Sequence, residues 1–412
     1  MSVRVTRRQV LALLPAFPVA IRVLAQAPSP AAAIRRFISS GAASYVIEPD
    51  GRVKVWTAGK NVKAALLGFS DDPDRIVPPY VAAEVPPLHG VTAIAQCGGA
   101  SVAVTADGRV RAWGSWANGL LGNTSISDLQ ATRYPRQTGP TPAFTLSMPK
   151  VVDVSSGESH VLALTAEGTV YVWGNGQLGQ LGIGDLPVVS LAGNLPEELA
   201  YVPFPMRVPG LDGVVTIAAG PKHSLALLKD GTVRAWGENR YGEVGDGTVA
   251  RRKSPVMVRG VTNATAIAAS DGASFAVLAD GSVMCWGMSS ALGRPAADWR
   301  TPSPIPALVP GAAGIVAVSA SAHVVALTST GRVMTWGAEN AGQVAHPAPE
   351  KAGFVAGITT ARAVAAYGLS SAATLADGTI LVWGILPSVS YRIDGADGEA
   401  AHFPVPLIIK GL

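Results

Sequence analysis

Seven times along this chain, a turn of the Asp-Gly type is followed by a tryptophan six residues after the first position of the turn. The pairs are Asp50/Trp56, Asp107/Trp113, Glu167/Trp173, Asp230/Trp236, Asp280/Trp286, Thr330/Trp336 and Asp377/Trp383. A spacing that never changes predicts one hairpin built seven times, in a repeat unit of roughly 50 residues. The chain is therefore expected to fold as an array of similar supersecondary units.

Each unit contains short runs of β-branched and apolar residues bounded by glycine or polar turns, seen clearly at residues 215–220, 223–228 and 230–237. This composition is typical of strands. An Asp-Gly pair between two such runs favours a type I′ turn and an antiparallel hairpin. A further segment of the Pro-x-x-Val type, such as 255–258, precedes each unit. Each unit is therefore predicted to contain four strands.

Four-stranded sheets repeated radially form a β-propeller, so the predicted fold is all-β, with seven antiparallel blades. The alternative is an open solenoid. The first unit begins directly at 34–40, without a Pro-x-x-Val strand, whereas an extra copy at 404–412 ends the chain. We expect this C-terminal strand to join the N-terminal blade and close the ring. Residues 34–412 are predicted to be one propeller domain, preceded by a linker at 28–33.

The recurring tryptophans are interpreted as structural, because a buried indole removes about 150 to 250 Å² from water. They are Trp56, Trp113, Trp173, Trp236, Trp286, Trp336 and Trp383. An aromatic stripe that binds a ligand is the functional alternative. The regular placement of these tryptophans within the hairpin favours a structural role in the core.

Residues 1–27 are predicted to be an export signal. Arg7 and Arg8 precede an apolar stretch at 10–21, and Ala25 and Ala27 have the small-x-small form of a cleavage site. The paired arginines resemble a twin-arginine signal; general export and an uncleaved N-terminal arm are the alternatives. The stretch is too short for a membrane span of about 20 residues. We expect the protein to be periplasmic or secreted, without stable insertion into a membrane.

The positive charge of the chain belongs to this N-terminal segment. The formal net charge is +4, from 32 basic and 28 acidic residues, and residues 1–27 contain four arginines and no acid. The rest of the chain is therefore formally neutral. Nucleic-acid binding relies on an excess of Lys and Arg, so no nucleic-acid partner is predicted.

Two middle units carry a family resemblance. The segments 173–182 and 236–245, which begin Trp-Gly and contain Gly-Gln-Leu-Gly or Gly-Glu-Val-Gly, follow Gly157-x-x-His160 and Gly220-x-x-His223. They resemble repeats of the regulator of chromosome condensation family. The resemblance extends over most of the chain after residue 33 and weakens at Trp56-Thr57, at Thr330-Gly331 and after Trp383-Gly384.

This resemblance implies a seven-bladed propeller that binds proteins through its faces and loops. Family members include a nuclear guanine-nucleotide exchange factor and a secreted bacterial inhibitor of β-lactamases. The export signal and balanced charge favour similarity to the secreted inhibitor, at a distance. No residue matches a partner-specific motif, so the target enzyme is not carried over.

No catalytic, cofactor-binding or metal-binding residues are predicted. Segment 174–179 fits G-x-G-x-x-G, but it lies in the turn of the repeat rather than at a strand-to-helix junction. His160, His223 and His323 recur at one repeat position, so they would be spread over different blades rather than converge on a metal. Cys97 and Cys285 fall in different repeats and predict two unpaired thiols.

Loop length is uneven around the ring. Successive repeat tryptophans are 57, 60, 63, 50, 50 and 47 residues apart, so extra residues gather in the first half, within 67–87, 116–149 and 186–205. Loop aromatics on a rigid frame are typical interface anchors. We hypothesise a partner-binding lip with Trp116, Tyr134 and Tyr201 as anchors and Trp299 as an outlier. The alternative is that these rings pack down over the blades.

The predicted function is that of an exported, monomeric, non-enzymatic propeller that binds an unknown protein, as an inhibitor or scaffold. A binder of extracellular or cell-wall carbohydrate is the second hypothesis. An enzyme with an unrecognised site in the central channel is the third. Fold alone does not decide among them.

Overall fold

The repeat units form seven separate four-stranded antiparallel sheets. A computed structural model describes residues 36–40, 43–57, 62–63, 67, 76–77, 83–85, 88–97, 99–114, 119–123, 141–190, 196–198, 200–288, 293, 301–339, 342–385 and 402–408. The prediction of an all-β propeller with seven blades is confirmed. No helix in these ranges has the length and hydrophobicity of a membrane span.

The strands follow one another in chain order, blade by blade. Blade 1 contains β1 (Arg36–Ser40), β2 (Ala43–Ile47) and β3 (Val53–Thr57), then the short pair β4 (Val62–Lys63) and β5 (Ile76–Val77), and finally β6 (Ala83–Glu84). Blade 2 contains β7 (Val91–Cys97), β8 (Ala100–Thr105), β9 (Val110–Gly114) and β10 (Thr141–Leu146). Blade 3 contains β11 (Val151–Ser156), β12 (His160–Thr165) and β13 (Val170–Asn175), then the hairpin β14 (Val188–Ser190) and β15 (Pro196–Glu198), and finally β16 (Tyr201–Arg207).

Blades 4 to 7 have four strands each. Blade 4 contains β17 (Val214–Ala219), β18 (His223–Leu228), β19 (Val233–Gly237) and β20 (Arg252–Met257). Blade 5 contains β21 (Ala264–Ala269), β22 (Ala273–Leu278), β23 (Val283–Met288) and β24 (Pro302–Leu308). Blade 6 contains β25 (Ile315–Ala320), β26 (His323–Thr328), β27 (Val333–Gly337) and β28 (Gly353–Phe354). Blade 7 contains β29 (Ala361–Tyr367), β30 (Ser370–Leu375), β31 (Ile380–Ile385) and β32 (His402–Ile408).

The first strand of every blade lies at the centre of the ring, where it contacts the first strands of both neighbouring blades. The fourth strand lies at the outer edge. These outer edges carry prolines (Pro142, Pro203, Pro205, Pro255, Pro302, Pro304, Pro306, Pro404 and Pro406) or, in blades 1 and 6, are two residues long. Short edges and prolines both hinder pairing with another chain.

The predicted closure of the ring is wrong. The C-terminal strand β32 pairs with β31 of its own blade, with Val382 opposite Leu407, rather than with blade 1. Blade 1 already has a fourth strand, β6, in which Glu84 lies opposite Lys54. Each Pro-x-x-Val segment completes the unit before it, because the third strand of that unit offers the nearest unpaired edge. Contact between β29 and β1 closes the ring.

Removal of residues 402–412 is therefore expected to weaken blade 7 and to leave blade 1 unchanged. Amide hydrogen exchange along β31 is expected to accelerate about tenfold or more, because its outer hydrogen-bonding edge becomes exposed. Exchange along β2 and β3 should keep its rate, as measured by mass spectrometry of matched peptides. Faster exchange in β3 would instead place the C-terminal strand in blade 1.

The Asp-Gly turns differ from the predicted type I′. That type requires positive φ at both central residues, yet among the described residues only Asn263 and Ala345 have positive φ without being glycine. In the first turn Gly51 has φ of 79°, while Asp50 Oδ1 accepts the amide of Arg52 at 3.1 Å. The Gly51 amide also donates to the Glu48 carbonyl oxygen at 2.9 Å, so residues 48–51 form a turn in which glycine alone has positive φ, as in a type I turn with a bulge.

Backbone conformation explains why a glycine follows the repeat tryptophan. Gly237 has φ of 109°, and a Cβ there would lie 2.6 Å from the carbonyl oxygen of Lys222. Five further glycines after repeat tryptophans have φ between 95° and 112°: Gly114, Gly174, Gly287, Gly337 and Gly384. Only glycine adopts this conformation readily. In blade 1, Thr57 stands at this position without positive φ.

The hydrophobic core lies between blades rather than within them. One cluster joins Val170, Val172 and Val202 of blade 3 to Ile217 and Trp236 of blade 4. Six of the repeat tryptophans have 0% exposed surface: Trp113, Trp173, Trp236, Trp286, Trp336 and Trp383. Trp56 lies in β3. Each blade thus depends on its neighbours for burial of its faces.

Candidate interaction face

Strand direction divides the connections between two faces of the ring. In an antiparallel blade, the turn between strands one and two and the connection between strands three and four leave at the same end; we call this end the loop face. The Asp-Gly turns lie at the opposite end, the turn face. The long connections of blades 1, 2 and 3 all join a third strand to a fourth, so each of them starts and ends at the loop face.

Of the predicted anchors, the structure describes Tyr201. It opens β16, lies opposite Asn175 and is half-buried. A Cβ on Gly119 of blade 2 would lie 3.1 Å from its Cδ2, so the ring packs over the neighbouring connection. Tyr201 is thus partly used for packing between blades. Trp116, Tyr134 and Trp299, and the signal residues Arg7, Arg8, Ala25 and Ala27, lie outside the described residues.

The connections after the third strands are held by the next blade. Trp236 Nε1 of blade 4 donates to the carbonyl oxygen of Gln180 in blade 3 at 2.9 Å. The same bond joins Trp173 to Leu120 (2.8 Å), Trp286 to Glu243 (2.8 Å) and Trp383 to Gln343 (2.9 Å). Glycine is required beside the indole, since a Cβ on Gly182 would lie 2.7 Å from Trp236 Nε1. The tryptophan therefore fixes the loop of the preceding blade.

Further bonds make the blade 4 connection rigid. Asn239 Nδ2 donates to the carbonyl oxygens of Thr248 (3.0 Å) and Ala250 (2.9 Å), and its Oδ1 accepts the amide of Val244 (2.9 Å). Arg251 Nη1 reaches back to the Gln177 carbonyl oxygen of blade 3 at 3.0 Å. Adjacent connections of the loop face are thus tied to one another.

Acidic side chains surround Lys222 on the loop face of blades 3 to 5. Lys222 Nζ lies 4.0 Å from Glu238 Oε2. Burial raises the pKa of Glu158; Lys222 lowers it, and Asp271 and Glu238 raise it further. Burial also raises the pKa of Asp271, against the attraction of Lys222. This part of the face combines charge with incomplete hydration, which is a property of many binding surfaces.

Glu243 occupies a position where other units have glutamine. Gln180, Glu243 and Gln343 each lie seven residues after a repeat tryptophan. Gln180 Oε1 accepts the amide of Leu178 at 2.8 Å, and Glu243 Oε2 likewise accepts the amide of Tyr241 at 2.7 Å. Burial raises the pKa of Glu243 to about 7. A protonated Glu243 resembles the glutamines in having one carbonyl acceptor and a donor beside it.

The three recurring histidines are buried at junctions between blades. His160 Nε2 lies 2.9 Å from Ser224 Oγ of the next blade, His223 Nε2 lies 2.9 Å from Ser274 Oγ, and His323 Nε2 lies 2.6 Å from Ser371 Oγ. The prediction that these histidines lie on different blades is confirmed, but their serine partners were not predicted from the sequence. A signal was available, because each histidine is matched by a serine one place later in the following unit.

The described residues show no convergent metal or thiol chemistry. Within the described ranges, no three His, Cys, Asp or Glu side chains are grouped as metal ligands. Cys97 and Cys285 are buried and are not joined by a disulfide. Burial raises the pKa of the Cys97 thiol, whose Sγ donates to the His160 carbonyl oxygen at 3.5 Å. A thiol in this environment is a poor nucleophile.

Comparison with known proteins agrees with this architecture. The RCC1-like domain family matches residues 17–354. The chain is 31% identical over 209 residues to the ultraviolet-B receptor UVR8 of Arabidopsis thaliana, covering 50% of this chain and 42% of the receptor. It is 32% identical over 257 residues to the probable E3 ubiquitin-protein ligase HERC6 of Homo sapiens, covering 61% of this chain and 19% of the ligase. The matches thus span less than half the length of either relative.

A solved structure shares the fold at low sequence identity. Yeast RCC1 (Prp20), in its crystal structure bound to Kap60, superposes with a TM-score of 0.65 at 19% identity, covering 85% of this chain and 82% of that chain. The family match extends over most of the chain and includes the units in which the Trp-Gly and Gly-x-x-His patterns are clearest. The chain belongs to the RCC1-like domain family.

Proposed function

We propose that this protein is an exported, non-enzymatic propeller that binds another protein through its loop face. The observation that carries this proposal is the placement of the long connections. Those of blades 1, 2 and 3 all follow a third strand and therefore start and end on the same face of the ring. Extended loops grouped on a rigid scaffold are a common basis of recognition.

The rigidity of the loop face supports this role. Carbonyl oxygens in the connections of blades 2, 3, 4 and 6 each accept an indole N–H from the next blade; they belong to Leu120, Gln180, Glu243 and Gln343. Loops that are ordered before binding lose less entropy when a partner docks. The face can therefore present a preformed surface.

The known relatives support a protein partner. The solved yeast RCC1 is bound to a protein, Kap60. HERC6 is named as a ligase, but the match spans 19% of its length, so only the propeller is shared with this chain. We carry over protein binding as the property of the shared part, and leave the partner unnamed.

The buried histidines support the non-enzymatic assignment. Catalysis by a nucleophile and base requires both groups, and a third that orients the base, to lie within hydrogen-bond reach. Here each of the three histidines is buried beside a serine, and that serine donates its proton to a backbone carbonyl rather than to the histidine. Their roles are accounted for by blade packing.

Affinity capture from periplasm or medium, followed by mass spectrometry, tests the proposal. We expect a specific protein to bind the intact propeller, and its affinity to fall by about tenfold or more when the predicted anchors are replaced in Trp116→Ala and Tyr134→Ala. Arg109→Ala is the matched control, because this exposed arginine lies on the turn face beside Asp107. Thermal melts verify folding of each variant.

Two results would contradict this assignment. Equal retention of the captured protein by the loop-face variants and by wild type would remove the loop face as the binding surface. Retention of cell-wall polysaccharide, with no protein bound above background, would favour the carbohydrate hypothesis instead.

Export is a separate part of the proposal and depends on residues 1–27 alone. Replacement of Arg7 and Arg8 by lysine is expected to retain the protein in the cytoplasm if the twin-arginine route is used. Cell fractionation and the mass of the mature N-terminus measure route and cleavage together. Undiminished export of the double-lysine variant would exclude the twin-arginine route.

A further inference from the structure

Three of the junctions between blades share one hydrogen-bonded relay. At junctions 3/4, 4/5 and 6/7, a histidine of one blade meets a serine of the next. That serine donates to a backbone carbonyl of the first blade: Ser224 to Gln180 (2.9 Å), Ser274 to Glu243 (2.7 Å) and Ser371 to Gln343 (2.8 Å). The same carbonyls accept the indole N–H groups described above. The relay therefore holds both the blade and its connection.

The relay determines where the proton of each histidine lies. A serine hydroxyl has one proton, and here it is donated to the carbonyl. Nε2 must then carry the hydrogen that Ser Oγ accepts, which leaves the lone pair on Nδ1. The Nδ1 atoms of His160 and His323 are buried without a hydrogen-bond partner. A second proton on the His160 ring would produce a buried N–H and a positive charge without an acceptor.

Two other junctions use an apolar pair at the same two positions. Junction 2/3 has Ala100 and Val161, and junction 5/6 has Ala273 and Val324, all with at most 1% exposed surface. Alanine takes the place of histidine, and valine takes the place of serine. These junctions contain no group at this point that can gain a proton, so the chain provides its own internal controls.

The surroundings offer little compensation for a charged ring. Ionisable residues lie beside the first two rings: Cys97 Sγ donates to the His160 carbonyl oxygen, and the Glu243 carbonyl oxygen accepts the Ser274 hydroxyl that is bonded to His223. Burial, with a smaller contribution from His223, lowers the pKa of His160 to about 3. Burial lowers the pKa of His223 to about 3 as well. For His323, burial lowers the pKa to about 3 even though the Gly368 carbonyl raises it.

We propose that the His–Ser relays are acid-sensitive clasps: protonation of the histidines opens junctions 3/4, 4/5 and 6/7, while the apolar junctions 2/3 and 5/6 stay closed. Opening also releases the carbonyls of Gln180, Glu243 and Gln343, and so loosens three connections of the loop face. This property belongs to the fold and does not depend on the identity of a partner.

Hydrogen exchange of the full-length protein at pH 7 and pH 5 tests the proposal. Local opening that exposes one histidine, with a pKa moving from about 3 to 6.5, is favoured about 25-fold more at pH 5 than at pH 7. We expect protection factors, corrected for intrinsic exchange rates, to fall by about that factor in β18 and β30, and by less in β22, because the raised pKa of Glu243 at junction 4/5 acts in the opposite direction. Peptides of β8, which carries Ala100 of junction 2/3 and no histidine, should change less than about threefold.

The double variant His223→Ala/Ser274→Val gives the matched control. It places at junction 4/5 the pair that the chain already has at junctions 2/3 and 5/6, so we expect the pH dependence of protection in β22 to shift about 25-fold toward greater protection at pH 5, while that of β30 remains. If this variant does not fold, His223→Gln keeps an N–H donor for Ser274 and cannot be protonated, and it should give the same result.

Either of two results would overturn the proposal. One is an equal loss of protection at the apolar junctions and the histidine junctions in wild type. The other is an unchanged acid response of β22 in a folded His223→Ala/Ser274→Val or His223→Gln variant.

Discussion

Replacement of Trp236 by alanine is expected to lower the free energy of unfolding by about 3 to 5 kcal/mol, because it leaves a large cavity between blades 3 and 4. The indole has 0% exposed surface and packs in a cluster with Leu181, Val202 and Ile217. Its Nε1 also donates to Gln180 O at 2.9 Å, so the substitution frees the blade 3 connection as well. Urea unfolding followed by circular dichroism measures the loss.

Trp236→Phe is the matched control for this prediction. Phenylalanine retains much of the apolar contact and removes the N–H donor, so its cost should be clearly smaller than that of alanine. Ser224 still donates to Gln180 O in both variants, so this carbonyl keeps one partner. A cost under about 1 kcal/mol for Trp236→Ala would be incompatible with a buried indole that joins two blades.

Acidification from pH 7 to pH 5 is expected to lower the free energy of unfolding by about 3 to 4 kcal/mol. The folded pKa values of His160, His223 and His323 are about 3, below the ordinary 6.5. Below pH 6.5 the unfolded chain binds more protons, so the stability present above that pH is lost as pH falls toward 3. At about 1.4 kcal/mol per pKa unit, each histidine contributes about 2 kcal/mol over this range.

Glu243 acts in the opposite direction. Its pKa is raised to about 7 in the folded protein, from 4.5, so its stabilisation is present below 4.5 and lost as pH rises through 7. Between pH 7 and pH 5 it offsets about 2 kcal/mol of the histidine effect. The raised pKa values of Glu158 and Asp271 have the same sign. The net fall is therefore smaller than the sum of the three histidines.

Glu243→Gln separates the two contributions. The glutamine keeps the hydrogen-bonding pattern of positions 180 and 343 and does not titrate, so the fall between pH 7 and pH 5 should become about 2 kcal/mol larger. At pH 8 the variant should be more stable than wild type. Urea unfolding at pH 8, 7, 6 and 5 measures both effects. A flat profile in wild type and variant would show that the histidines are not buried in their neutral form.

The relation between sequence and structure differs from feature to feature. The hairpin, the strand pattern and the number of blades follow from the constant distance between Asp50 and Trp56 and its six equivalents, because turn chemistry and side-chain alternation act between chain neighbours. The position of the long loops was also readable from the unequal spacing of the tryptophans. That the long connections all start and end on one face could not be predicted in this way, because it depends on which two strands each connection joins.

The features that sequence analysis assigned wrongly are those in which several partners were chemically equivalent. A Pro-x-x-Val strand such as β32 can pair with the third strand of the unit before it or complete a unit elsewhere in the ring. Its repeat pattern is the same in both cases. Likewise, an Asp-Gly pair is compatible with a type I′ turn and with a type I turn followed by a bulge. The bond from the Arg52 amide to the carboxylate of Asp50 accompanies the second type.

By itself, the sequence determined a seven-fold array of hairpins with a buried tryptophan position and an uneven set of loops. The tertiary structure alone decided that blade 7 keeps its own outer strand and that histidines join three pairs of blades. The relay partners lie 64, 51 and 48 residues apart along the chain. Contacts between residues so far apart in the sequence form because closure of the ring brings equivalent positions of successive units together. Local conformational propensity acts only between near neighbours in the chain and cannot specify them.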